Sequence, residues 1–139
     1  MQEVELARQL YGSGYSCAEA TWLAIAKDVS ETDRNLGLKL SGGFGGGVSC
    51  GGLCGALAGA VMGLGLFLGR NQGEPRPDRL RTATKELCAA FAAKFGSIDC
   101  RDIKPEGPDY RTRCGEYVVF CVEEALRILD ESLAADDCG

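Results

Sequence analysis

The sequence contains no histidine. That absence removes Cys-His nucleophilic pairs, histidine-containing zinc fingers, histidine-ligated haem and the c-type haem attachment sequence. Nor do any two of the eight cysteines form a Cys-x-x-Cys, so the thioredoxin motif and the common ferredoxin and zinc-ribbon spacings are missing. Thiols that act here must converge from distant parts of the chain. No stretch shows the long apolar-polar alternation of a strand. No basic stripe is present either, and a net charge of -5 argues against a nucleic-acid partner, because phosphate recognition needs clustered Lys and Arg. With no histidine base and no nucleophile elbow, a hydrolase finds no support.

What is present suits one domain over residues 1–139, with 45% hydrophobic and 25% charged residues. Glu3 and Glu5 stand where a secretory signal would carry positive charge. A cytoplasmic location is therefore expected. In that reducing compartment, clustered cysteines are read as metal-binding or redox groups rather than as a disulfide framework.

Helical periodicity dominates, and an all-α single-domain bundle of about five to six helices is expected, with a glycine-rich helix buried at its centre. A first helix sets Val4, Ala7, Leu10 and Tyr11 on one side and ends near Gly12. Ser16 and Glu19 have the spacing of a capping box, which puts Cys17 in the first turn of the second helix. Ser30 and Asp33 repeat the spacing before a helix that should stop near Gly42. After Pro75 and Pro77, Leu80, Thr84, Leu87, Phe91 and Phe95 form a helical stripe ending at Gly96. In the last helix Cys114, Val118, Cys121, Ala125 and Ile128 share a face, and the tail LAADDCG should fray.

No charged residue occurs from Ser41 to Gly69. Within this segment Gly47, Gly51, Gly55, Gly59 and Gly63 recur every four residues, so on one continuous helix they would form a ridge without side chains. Such a ridge could pack a membrane dimer. The glycine-rich first half is weakly hydrophobic and the flanks lack an aromatic belt, so a buried helix is expected and a membrane span is not. The same ridge could join two copies of the chain.

Three cysteines follow residues that commonly cap helices: Cys17 after Ser16, Cys50 after Ser49 and Cys100 after Asp99. In a first turn the helix dipole favours the thiolate. Cys50 and Cys54, four apart, would share a helix face. Arg101, Lys104, Arg111 and Arg113 surround Cys100 and Cys114, where positive charge could lower thiol pKa values or balance a metal-thiolate cluster. Cys88 and Cys121 read as core, and Cys138 as a bystander in the tail.

With these residues in place, the chain resembles the C-GCAxxG-C-C family of redox-active cysteine proteins over nearly its whole length. Cys17 in GYSCAEA looks like the first signature cysteine, CGALAG from Cys54 to Gly59 like the glycine-rich core motif, and Cys100 in GSIDCRD and Cys114 like the third and fourth. The resemblance implies association with electron-transfer proteins and cysteine-ligated iron-sulfur centres. Cys17, Cys54, Cys100 and Cys114 are then the candidate ligands of an iron-sulfur cluster, since four thiolates suffice for a [2Fe-2S] or [4Fe-4S] centre. Two alternatives stand beside it. Without metal, Cys17 and Cys54 would be the redox-active pair, with Cys50 as a partner thiol. A four-cysteine zinc site or an oligomeric adaptor would be structural instead. The electron-transfer partner is unknown.

Overall fold

The computed structural model describes residues 1–137, and over them the chain is all-α. Seven helices follow one another: α1 (Gln2–Gly12), α2 (Cys17–Ile25), α3 (Glu31–Ser41), α4 (Gly55–Leu68), α5 (Asp78–Phe95), the single turn α6 (Cys100–Ile103) and α7 (Tyr110–Asp137). The count exceeds the expected five to six because α6 is one turn, too short to produce a periodic pattern. α7 continues through the region expected to fray, as far as Asp137. Cys138 lies outside the described residues.

Local signals set the helix starts as the sequence suggests. The Glu19 N–H donates to Ser16 Oγ at 3.2 Å, and the Ser16 N–H donates to the Glu19 carboxylate at 2.9 Å, completing the capping box. Ser30 Oγ accepts from the Asp33 N–H, and Gly96 ends α5 in the left-handed conformation that glycine adopts without penalty.

α4 lies at the centre, packed against α2, α5 and α7. Leu57, Leu64 and Leu68 of α4, Leu87 and Phe91 of α5, and Val118, Cys121, Val122 and Ile128 of α7 are fully or almost fully buried together. Phe91 and Phe95 of α5 add edge-on ring contacts to Tyr117 and Phe120 of α7. Trp22 anchors α3: its indole N–H donates to the Arg34 carbonyl at 2.8 Å, and its ring occupies the space left by Gly37. Cys88 is partly buried against this core and Cys121 is wholly inside it, as expected of both.

The glycine segment differs from expectation. The helix does not run from Cys50; it begins at Gly55, with Cys54 as its N-cap residue. Residues 47 to 51 instead form a wide turn in which Val48 and Ser49 take positive φ. Ser49 therefore caps nothing, and Cys50 and Cys54 do not share a helix face. Gly47 and Gly51 also have positive φ, so only Gly55, Gly59 and Gly63 remain of the ridge. That ridge is filled by the chain's own α2. A Cβ on Gly59 would fall 2.5 Å from the Ala18 carbonyl oxygen, and one on Gly63 would fall 2.7 Å from Ile25 Cγ2. The face foreseen for a second copy is thus occupied within one chain. Among the described residues, no helix is long and apolar enough to cross a membrane.

Candidate functional site

The packing of α4 on α2 places the first two candidate cysteines. Cys17 begins α2 and Cys54 precedes α4, and a Cβ on Gly55 would lie 2.4 Å from Cys17 Sγ. Gly55 therefore leaves the space that the Cys17 sulfur occupies beside Cys54.

Two backbone hydrogen bonds bring in the third. The Cys54 N–H donates to the Ile98 carbonyl at 2.8 Å, and the Cys100 N–H donates to the Gly52 carbonyl at 2.6 Å, on either side of an antiparallel bridge between Leu53 and Asp99. Gly47 permits the approach, since a Cβ there would fall 2.6 Å from Cys100 Cβ. Asp99 precedes α6 as foreseen, but its side chain makes no capping hydrogen bond. Cys114 arrives from the second turn of α7. Tyr117, one turn further on, donates from its hydroxyl to the Ile103 carbonyl at 2.5 Å and ties α7 to the end of α6.

Cys17, Cys54, Cys100 and Cys114 consequently line one cavity of about 130 Å³. By the same measure one water needs about 10–15 Å³, so the cavity admits a group of several atoms. Tyr11, Tyr110 and Tyr117 form apolar walls with polar tips, and Lys104 and Arg111 bring positive charge to the lining. Cys50 is exposed and does not line this cavity; its Sγ faces the Gly47 carbonyl. Arg101 is engaged with the Gly51 carbonyl and Arg113 with Tyr117 and Glu116, and neither arginine lines the cavity.

The electrostatics run against simple thiolate activation. Burial raises Cys54 from 9.0 to about 11, and the N–H groups of Leu57 and Ala56 at the start of α4 oppose that shift without overcoming it. Burial is also the largest cause of the upward shift at Cys100 and at Cys114. The nearness of Cys17 raises Cys54, Cys100 and Cys114 further. Lys104 lowers Cys100 and Cys114, and Arg111 lowers Cys114, but desolvation prevails. The sequence shows which cations stand near the thiols; it does not show how much water the fold removes.

Sequence reasoning placed Arg111 near Cys114 but missed Tyr11 as part of this lining and the contact between the two. Tyr11 reads as an ordinary core position of α1, and Arg111 is separated from it by 100 residues, so no local spacing links them.

No curated protein and no solved structure matches the chain. One family model does, that described as "Putative redox-active protein (C_GCAxxG_C_C)", over residues 15–129, a span that includes all four cavity cysteines. The match covers well over half of the 139 residues, and the chain belongs to the C_GCAxxG_C_C family.

Proposed function

We propose that Cys17, Cys54, Cys100 and Cys114 hold an iron-sulfur cluster and that the protein carries or senses electrons. The observation that carries this reading is the convergence of four thiols, from four separate helical segments, on one cavity with room for several atoms. Four cysteines are a full ligand complement for such a centre.

Burial supports the same choice. Buried thiols held above their ordinary range are poor attacking groups, because exchange needs the thiolate and works best when its pKa is near ambient pH. A metal removes that obstacle, since a coordinated thiol is deprotonated by the metal itself. A single zinc ion would need its sulfurs about 2.3 Å from one point. As the side chains lie, no group of three or more Cys, Asp or Glu among the described residues stands close enough to hold a metal ion, so any metal would draw the thiols together on binding.

When bound, the cluster supplies reversible electron transfer. The chain's own residues then have simple tasks. Lys104 and Arg111 offset negative charge at the thiolates, and the tyrosine walls limit the entry of water. The electron-transfer partner would meet the centre from outside this lining.

The test is anaerobic purification with assays of iron, acid-labile sulfide and the visible spectrum. Brown protein with stoichiometric iron and sulfide is expected, with both lost in Cys54→Ser and both retained in Cys50→Ser. Colourless wild-type protein that also takes up no iron on reconstitution would overturn the proposal. Zinc in its place would indicate a structural site, and a metal-free protein would indicate dithiol chemistry.

A further inference from the structure

Arg111 joins two parts of the cavity wall that lie far apart in sequence. It sits in the first turn of α7, three residues before Cys114. Its Nη2 donates to the Tyr11 carbonyl at 2.7 Å and to the Tyr15 carbonyl at 3.3 Å. The guanidinium carbon also stands 4.1 Å from the centre of the Tyr11 ring. Tyr11 is in the last turn of α1, and Tyr15 is two residues before Cys17.

Helix ends explain why this contact forms. The last carbonyls of a helix have no intrahelical donor and carry partial negative charge, which a nearby cation stabilises. The last turn of α1 holds no basic residue. Arg111 supplies that charge from the other end of the chain. Stacking on Tyr11 fixes the plane of the fork, which a flexible ammonium would not do.

The two residues also separate two spaces. On one side is the thiol cavity of about 130 Å³; on the other is an open groove of about 680 Å³ between α1, α7 and the end of α5. Tyr11 and Arg111 are the residues common to both linings. The pair is therefore the partition between the thiols and the outer groove.

We propose that Arg111 is a positioning residue of the thiol centre, clasping the Cys114 end of α7 to the turn before Cys17 and holding Tyr11 as the wall against solvent. This rests on the four cysteines acting as one centre. The clasp itself is read on metal-free thiols, so its outcome does not depend on iron being present.

The experiment measures iodoacetamide labelling at each cysteine by mass spectrometry in chelator-treated, reduced protein. Arg111→Met keeps the stem and removes the donors and charge. Loss of two charge-assisted hydrogen bonds and a cation–π contact should open this corner and outweigh the loss of the charge that lowers Cys114, so labelling of Cys17 and Cys114 rises about tenfold or more, with Cys88 unchanged. Arg111→Lys, with a point charge that cannot both stack and span two carbonyls, should give an intermediate rise. Tyr11→Phe keeps the wall and should stay near wild type. Rates at Cys17 and Cys114 within about twofold of wild type would overturn the proposal, as would an equal rise at Cys88, which marks general loosening. If Arg111→Met does not fold, Arg111→Lys decides by the same criterion. A differential rise, together with wild-type protein that takes up no iron on reconstitution, would sustain the clasp and remove the cluster reading.

Discussion

Adding one methyl group at Gly59 should separate the two helices that carry Cys17 and Cys54. An alanine Cβ there would stand 2.5 Å from the Ala18 carbonyl oxygen and 3.2 Å from both its carbonyl carbon and its Cα. These are backbone atoms inside α2, so no side chain can turn aside. To restore ordinary contact, starting at 3.4 Å, α2 and α4 must part by about an ångström. Overpacking of this kind costs about 1–3 kcal/mol, and against backbone the upper end applies. Alanine returns about 1 kcal/mol of helix propensity, which leaves Gly59→Ala less stable by about 2 kcal/mol. Gly65 is the internal control, since a Cβ there meets nothing within 4 Å in the same helix. Gly65→Ala should keep most of the propensity gain, about 0.5–1 kcal/mol. For a chain of this size the two should melt about 6–8 °C below and about 2–4 °C above the wild type. Thermal and urea unfolding of the reduced protein provide the measurement. Shifts in the same direction would refute close packing at Gly59. Cys17 should also label faster in Gly59→Ala than in Gly65→Ala, because α2 carries its thiol away from Gly55.

Two further outcomes test the site's electrostatics and its frame. Cys54 rises from 9.0 to about 11 on folding, so the folded state favours the neutral thiol; that contribution is fully present below pH 9 and is lost as pH rises to about 11. The metal-free protein should lose urea stability across that window, and Cys54→Ala should lose less; an unchanged slope would show that Cys54 is not desolvated. Tyr117→Phe removes the donor to the Ile103 carbonyl and should lower stability by about 1–2 kcal/mol, seen as a shifted urea midpoint at constant slope. No shift would mean that this bond does not hold α6 against α7.

The sequence by itself determined the helices that have their own start signals or a periodic face. Ser16 with Glu19, Ser30 with Asp33, and the stripe from Leu80 to Phe95 act within a few turns, so their free energies are written locally. The family and the four cavity cysteines were also legible, because Cys17, Cys54 and Cys100 sit in recognisable short motifs and Cys114 follows them in order. Tertiary structure alone decided where the uncharged segment breaks. A glycine every fourth residue is compatible with a helix, but the approach of Cys100 to Gly47 and of Gly52 to the Cys100 N–H favours a turn with Val48 and Ser49 in the left-handed region. That turn removes Cys50 from the cavity. Tertiary structure likewise decided that Cys54, Cys100 and Cys114 are pushed up rather than down, since desolvation depends on what covers a thiol and not on its neighbours in sequence. The clasp of Arg111 on Tyr11 spans 100 residues. No local preference encodes such a contact; it exists only once α1 and α7 are packed side by side.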